Sequence, residues 1–109
     1  MEIKFNGYME NVLTMECTST VRAGDLVKMS ASGKVTRASA NDTFIGVCVG
    51  VNGSYAAVQL SGYVETAKSG TVNVGYNKLA AATSGVKTAE SGIDRLVIYS
   101  DDTTVGFIL

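Results

Sequence analysis

The side chains that most often carry catalysis or bind metal ions are scarce in this chain. Its 109 residues include no histidine and two cysteines, Cys17 and Cys48. Histidine is the usual general base near neutral pH and the commonest metal ligand, so Ser-His-Asp triads and most zinc sites are excluded. Cys48 has no histidine or nearby cation that would lower its thiol pKa. We therefore expect no catalytic residue, no metal site and no cofactor, and a protein that is not an enzyme.

Three aspartates have a spacing that could suggest a catalytic or metal site, but they fit turn positions better. Asp25 follows Gly24, where glycine permits positive φ and aspartate can accept a backbone hydrogen bond. Asp101 and Asp102 are adjacent, so on a strand they would point to opposite faces rather than share a Ca²⁺ ion or a substrate. At a hairpin tip they would be solvated turn formers. We interpret all three aspartates as structural.

The cysteines are predicted to be free thiols. Cys17 and Cys48 lie far apart in sequence, and there is no CxxC motif and no third cysteine. Apolar and polar residues alternate over residues 12–19, which places Cys17 on an inward face with Leu13 and Met15. Free buried cysteines behave as small apolar residues and are typical of a reducing compartment.

Composition indicates a folded domain with neither nucleic acid nor membrane as a partner. Apolar residues make up 46% of the chain and charged residues 17%, which suits one buried core. The formal charge is −1 and neither sign forms a block, so we expect no nucleic-acid partner. No stretch approaches the roughly 18 apolar residues of a membrane span, and the N-terminus lacks a signal-peptide pattern. The chain is predicted to be a soluble protein made in the cytoplasm.

Turn residues punctuate the chain and predict an all-β fold. Short clusters of Gly, Ser, Thr and Asn separate Val-rich runs, as in many short strands joined by tight turns. We predict a single small β-barrel or sandwich of short antiparallel strands over residues 12–109, with little or no helix. Residues 77–82 are the best helix candidate, but they are too few for more than a single turn.

The strongest local signal is a hairpin around Asn52 and Gly53. An Asn-Gly pair between two apolar runs favours a two-residue type I′ turn, which would pair Val51 with Ser54. In that register the face toward the core carries the pairs Val49–Ala56, Val47–Val58 and Ile45–Leu60. The other face, which would meet solvent or a subunit, carries the pairs Gly50–Tyr55, Cys48–Ala57 and Gly46–Gln59.

A second hairpin closes the chain. Its turn is predicted around Asp101 and Asp102, with the pairs Ser100–Thr103, Ile98–Val105 and Leu96–Phe107. The two halves of the chain also resemble each other weakly. Residues 21–36 and residues 72–88 both carry a Val-x-x-Gly pattern followed by Ser-Gly and a strand-like run. This echo suggests a pseudo-repeated barrel.

The first 11 residues are predicted either as an arm or as the first strand of the barrel. Ile3, Phe5, Tyr8 and Met9 are apolar but follow no clean period. A peptide of this kind can become ordered by adding a strand to the sheet edge of a partner. The four apolar residues are our candidate partner-binding residues in the arm interpretation.

Seven short turn-and-strand segments together resemble the small capsid-decorating (head decoration, or cement) proteins of tailed phages and prophages. They span roughly residues 12–109 and are, in order, residues 23–27, 32–35, 44–47, 60–65, 75–79, 84–86 and 105–109. The resemblance implies a non-enzymatic virion protein that binds the major capsid protein on the outer surface of the head and stabilises the shell. It also implies a homotrimer, and an N-terminal arm that reaches onto the capsid. Relatives often carry proline in the arm or early turns, whereas this chain has none.

Two other interpretations stay open. A small β-barrel could bind a glycan or another ligand if several of its tyrosines share one face, the candidates being Tyr55, Tyr63, Tyr76 and Tyr99. Another virion component, such as a tail protein, would also fit these features. In solution, a monomer is the main alternative to the homotrimer.

Overall fold

The computed structural model describes residues 11–109, and within them the fold is all-β, as predicted. The described chain contains ten strands and no helix. The strands are β1 (Asn11–Cys17), β2 (Leu26–Ala31), β3 (Lys34–Arg37), β4 (Gly46–Asn52), β5 (Tyr55–Ser61), β6 (Tyr63–Ala67), β7 (Gly75–Ala81), β8 (Val86–Thr88), β9 (Ile93–Ser100) and β10 (Thr104–Ile108).

The strands form two five-stranded units. Strands β1 to β5, the first unit, close into a barrel in the order β1-β3-β2-β4-β5. Strands β6 to β10, the second unit, form a sheet in the order β6-β10-β9-β7-β8, and a parallel bridge between Lys68 and Val86 brings the end of β6 beside β8. Followed from β6 through that bridge, the second unit has the same strand order as the first.

Local irregularities confirm that the second unit repeats the first. A β-bulge interrupts the β4–β5 pairing at Val49, and an equivalent bulge interrupts the β9–β10 pairing at Ile98. The turn between the second and third strands of each unit contains a glycine with positive φ, 70° at Gly33 and 77° at Gly85. The weak sequence echo therefore reflects a pseudo-repeat in three dimensions.

The two units differ in how their cores are completed. The first unit buries an apolar cluster of its own, made of Cys17, Val21, Val27, Val35, Cys48, Ala56 and Val58. The cluster in the second unit also includes three side chains from the first unit: Leu26, Ala38 and Phe44. The rings of Phe44 and Phe107 meet edge to face at 6.0 Å. The second core is therefore completed by its neighbour in the chain.

The predicted register of the central hairpin is wrong by one residue at the turn. Asn52 pairs with Tyr55, so the central turn residues are Gly53 and Ser54. Gly53 has a φ of 64° and Asn52 is not in the positive region, which is the pattern of a type II′ rather than a type I′ turn. The bulge at Val49 then shifts the pairing again.

This register changes which side of β4 faces the core. Gly46 and Cys48 are buried, whereas Val49 and Val51 are 48% and 42% exposed. The faces of β5 are as predicted for Ala56 and Val58, which are both buried. The apolar pattern therefore placed one strand of the hairpin correctly and inverted the other.

The closing hairpin is displaced in the same way. Ser100 pairs with Val105 rather than with Thr103, because the turn is centred on Asp102 and Thr103. After the bulge, Val97 lies opposite Phe107, and both are buried. Both hairpins thus depart from the predicted register by the same shift and the same kind of bulge.

Two further expectations about local structure are corrected. Residues 77–82, offered as a possible helical turn, lie mostly in β7, where Leu79 and Ala80 are fully buried between β8 and β9. Tertiary pairing overrides the helix preference of the alanines here. In β1, Cys17 is buried as expected, but Leu13 is half exposed. One pairing within the barrel, between β1 and β3, is parallel.

Candidate functional site

Two of the three aspartates singled out from the sequence, Asp25 and Asp101, stabilise turns. Asp25 Oδ2 accepts a hydrogen bond from the Arg22 backbone N–H at 2.9 Å. Asp101 Oδ1 accepts from the backbone N–H groups of Thr103 and Thr104 at 2.9 and 2.8 Å, and its Oδ2 accepts from the Tyr99 hydroxyl at 2.6 Å. These bonds, led by the one from Tyr99, lower the pKa of Asp101 to about 2. The structural interpretation of Asp25 and Asp101 is confirmed.

Both cysteines are free thiols, as predicted, and both are buried, although the predicted hairpin register had placed Cys48 on the outward face. Cys17 and Cys48 belong to the apolar cluster of the first unit. Burial raises the pKa of the Cys48 thiol, which keeps it in the unreactive protonated form. Their environment fits a packing role.

Gln59 is the polar side chain whose burial differs most from the prediction made from the sequence. It was expected on the hairpin face that would meet solvent or a subunit, but it is buried within the molecule. Its Nε2 donates to the backbone carbonyls of Ser61 at 3.0 Å and Tyr63 at 3.2 Å. Gln59 does point out of the first barrel, but the start of the second unit covers it. The amide therefore helps to join the two units.

Tyr63 is a structural residue that sequence reasoning considered only as a ligand contact. It is buried against Gly106, where an added Cβ would lie 1.9 Å from the Tyr63 hydroxyl oxygen. The hydroxyl donates to Glu65 Oε2 at 2.8 Å. Burial, together with this carboxylate, raises the Tyr63 pKa. Tyr63 pairs with Ile108, and its ring reaches diagonally across to Gly106, which pairs with Glu65.

The first unit presents an exposed surface whose centre lacks charged side chains, which is our candidate functional site. Residues that pair directly across antiparallel strands point to the same side, and Cys48 and Val58 face the core. The alternate positions therefore face outward. We call this the first-unit outer surface, and it consists of Val12, Thr14, Val49, Gly50, Tyr55 and Ala57.

Three apolar side chains make this surface suitable for protein contact. Val12, Val49 and Tyr55 are 52%, 48% and 54% exposed. A shallow cavity of about 410 Å³ lies beside Tyr55 on β1, β4 and β5, and no charged residue lines it. Glu16, which pairs with Tyr55, places one carboxylate at the border. An apolar centre with a charged border is the usual anatomy of a binding patch.

The candidate arm residues cannot be added to this site. Ile3, Phe5, Tyr8 and Met9 lie outside the residues that the structure describes. The described chain begins with Asn11 in β1, and Val12 of the first-unit outer surface is the next residue. The surface therefore includes the residue that follows the first described one.

The four tyrosines proposed for ligand binding do not form one exposed cluster. Tyr55 lies on the first unit, and the other three lie on the second. Tyr63 is buried, while Tyr76 and Tyr99 are exposed and pair with different positions across the sheet, Leu96 and Gly106. The condition for a shared tyrosine face is not met.

The described residues contain neither a metal-binding cluster nor a helix that could span a membrane. Within residues 11–109, no group of three His, Cys, Asp or Glu side chains is arranged to hold a metal ion. In the same part of the chain, no helix has the length and apolar character needed to cross a membrane.

Comparison with protein-family models, with curated proteins and with solved structures found no match.

Proposed function

We propose that this chain is a non-enzymatic virion protein that binds the outside of a tailed-phage head and stabilises the shell. The observation that carries the proposal is the first-unit outer surface, which is largely apolar, has its one charged side chain, Glu16, at the border, and includes Val12, next to the first described residue. The order of the turn-and-strand segments, which resembles that of capsid-decorating proteins, supplies the identity of the partner. That partner is the major capsid protein.

Each copy would stabilise the shell only slightly, and many copies together would stabilise it strongly. A surface of this size, with one tyrosine and two valines at its centre, suits a modest contact. Repeated over a symmetric shell, copies that each bridge neighbouring capsid subunits add their effects. The resemblance further implies a homotrimer at three-fold points of the shell. Light scattering of the purified protein is expected to give the mass of a trimer, and a stable dimer would contradict three-fold placement.

Co-sedimentation with expanded heads that lack this protein tests the proposal. The wild-type protein is expected to bind to saturation. Val49→Asp places a carboxylate in the centre of the first-unit outer surface and is expected to weaken binding at least ~10-fold, because the contact would bury an unpaired charge.

Val74→Asp is the matched control, since Val74 is 66% exposed on the second unit. It is expected to bind as the wild type does. Failure of the wild-type protein to bind its own heads would refute the proposed function. Equal binding by Val49→Asp and wild type would refute the site. A variant that lacks residues 1–10 measures the contribution of the arm separately.

A further inference from the structure

The second unit has an open groove that plays no part in the proposed head contact. Its volume is about 570 Å³, within the range of small-molecule sites. Strands β7 and β9 form one part of it, and the segment after β8 forms the other. The lining residues are Tyr76, Asn77, Lys78, Thr88, Ala89, Glu90 and Asp94.

Backbone contacts hold the groove in one shape. The Ala89 N–H donates to the Lys78 carbonyl at 3.1 Å, and the Gly92 N–H donates to the Ala89 carbonyl at 2.9 Å. Gly92 lies so close to β7 that an added Cβ would be 2.6 Å from the Leu79 carbonyl carbon. The Asn77 amide donates to the carbonyls of Asn73 and Gly75 at 2.6 and 3.1 Å, which fixes the start of β7. Both walls are therefore preorganised.

The side chains in the groove have hydrogen-bonding capacity that the protein does not use. Lys78 and Asp94 are directly opposite each other on β7 and β9. Among the described residues, neither they nor Glu90 form an ion pair or a side-chain hydrogen bond. Beside them the Tyr76 ring is 76% exposed, the highest value among the large apolar side chains of the described chain. An aromatic platform thus lies next to three free charged groups.

Comparison with the first unit shows that this face is a place where the two repeats differ. Val47 and Leu96 mark equivalent positions, because each lies two residues before the bulge of its hairpin. Val47 pairs with Leu26, which packs into the core of the second unit. Leu96 pairs with Tyr76, whose ring is exposed at the groove. An apolar contact within the molecule is thus replaced by an exposed ring beside an open groove.

We propose that this groove binds a neutral saccharide. The apolar C–H face of a pyranose ring can stack on an exposed tyrosine, whose hydroxyl remains available for hydrogen bonding. The ring hydroxyls are both donors and acceptors, so they can pair with the carboxylates of Glu90 and Asp94 and with the ammonium of Lys78. Two carboxylates against one ammonium disfavour an anionic sugar. This inference does not depend on the head-binding proposal.

Amide chemical-shift mapping of the full-length protein is the test. The neutral probes are maltotriose, cellotriose and the trimer of N-acetylglucosamine, and the anionic probe is a hyaluronan tetrasaccharide. At least one neutral probe at about 10 mM is expected to shift residues 76–78, 88–90 and 94, as suits a millimolar site. Tyr76→Ala is expected to weaken that binding ~10-fold. Because Tyr76 is largely exposed, the spectrum of the variant should otherwise stay that of the folded protein.

Tyr99→Ala is the matched control, because it removes an exposed tyrosine from the same sheet at a different position. It is expected to leave the titration unchanged. The proposal is overturned if no neutral probe shifts the groove, if the shifts persist in Tyr76→Ala, or if only the hyaluronan tetrasaccharide binds.

Discussion

The two five-stranded units share a scaffold but use it differently. Strand order, the bulge in the fourth strand and the glycine turn before the third strand are repeated. The first unit buries its own cluster, whereas the second takes Leu26, Ala38 and Phe44 from the first. Backbone pairing can therefore be duplicated while the core contents diverge. The second unit is expected to depend on the first for stability.

The outer faces diverge as well. The first-unit outer surface is largely apolar and its centre lacks charged side chains, whereas the groove of the second unit contains Lys78, Glu90 and Asp94. A sheet face that is not needed for the core is free to specialise, because outward side chains change at little cost to stability. The difference is in line with the proposals of protein contact for one unit and of a polar ligand for the other.

The largest expected effect is that of Phe44→Ala. Phe44 is buried in the core of the second unit, against Phe107 and under the Arg95 guanidinium, whose carbon lies 5.2 Å from the ring centre. Removing the ring leaves a cavity, so chemical denaturation is expected to show a loss of about 3–5 kcal/mol. Amide shifts should change mainly at Val97 and Phe107. Changes confined to the first unit would contradict the shared core.

The equivalent glycines Gly33 and Gly85 provide the next test. Alanine at either position strains a positive φ, but at Gly85 the added Cβ would also lie 1.8 Å from the Ala67 carbonyl oxygen. At Gly33 it would meet nothing within 4 Å. Denaturation is expected to show a loss of about 1 kcal/mol for Gly33→Ala and about 3 kcal/mol or more for Gly85→Ala. Equal losses would mean that the two turns are packed alike.

Gln59→Asp tests the junction of the units. Asp cannot donate to the carbonyls of Ser61 and Tyr63, and it places a carboxylate beside them in a buried position. We expect a loss of about 2–3 kcal/mol in unfolding free energy. Thr14→Asp, on an exposed position of the neighbouring strand, is the control and should change stability by less than about 0.5 kcal/mol. Similar values for both variants would place Gln59 in solvent.

The smallest expected effect is a difference between the two hairpins in how the stability of their turns depends on pH. The pKa of Asp101 is lowered to about 2, from 3.8, mainly by the Tyr99 hydroxyl. A lowered folded pKa contributes stability that is present above pH ~4 and is lost as the pH falls toward 2. The tip of the β4–β5 hairpin, Asn52 to Tyr55, has no carboxylate. Protection of the Thr103 and Thr104 amides, measured relative to their intrinsic exchange rates, should fall between pH 4 and 2 while that of Ser54 does not, and Asp101→Asn should remove the difference.

The sequence predicted the elements better than their register. Alternation and turn residues were enough for the all-β class, for both hairpins and for the inward positions of Cys17, Ala56 and Val58. The bulges at Val49 and Ile98 could not be read from the sequence, because an extra residue in a strand leaves no distinct pattern in an already apolar run. The burial of Gln59 depends on the other unit, which local patterns do not report.

Only part of the candidate site could be predicted from the sequence. Tyr55 was placed on an outward face, but Val49 was expected in the core, and the surface exists because the bulge turns it outward. The groove needed the three-dimensional pairing of Lys78 with Asp94, which no local pattern indicated. The repeat, by contrast, was visible in the sequence as a weak resemblance between residues 21–36 and residues 72–88.

Hydroxyl-radical labelling of two tyrosines, with the protein free and bound to expanded heads, tests the central claim most directly. Tyr55 lies in the first-unit outer surface and Tyr76 in the groove of the second unit, and both are exposed in the free protein. Head binding through the first unit predicts that labelling of Tyr55 falls severalfold while labelling of Tyr76 is unchanged. Unchanged labelling of Tyr55 in the bound protein would contradict the account.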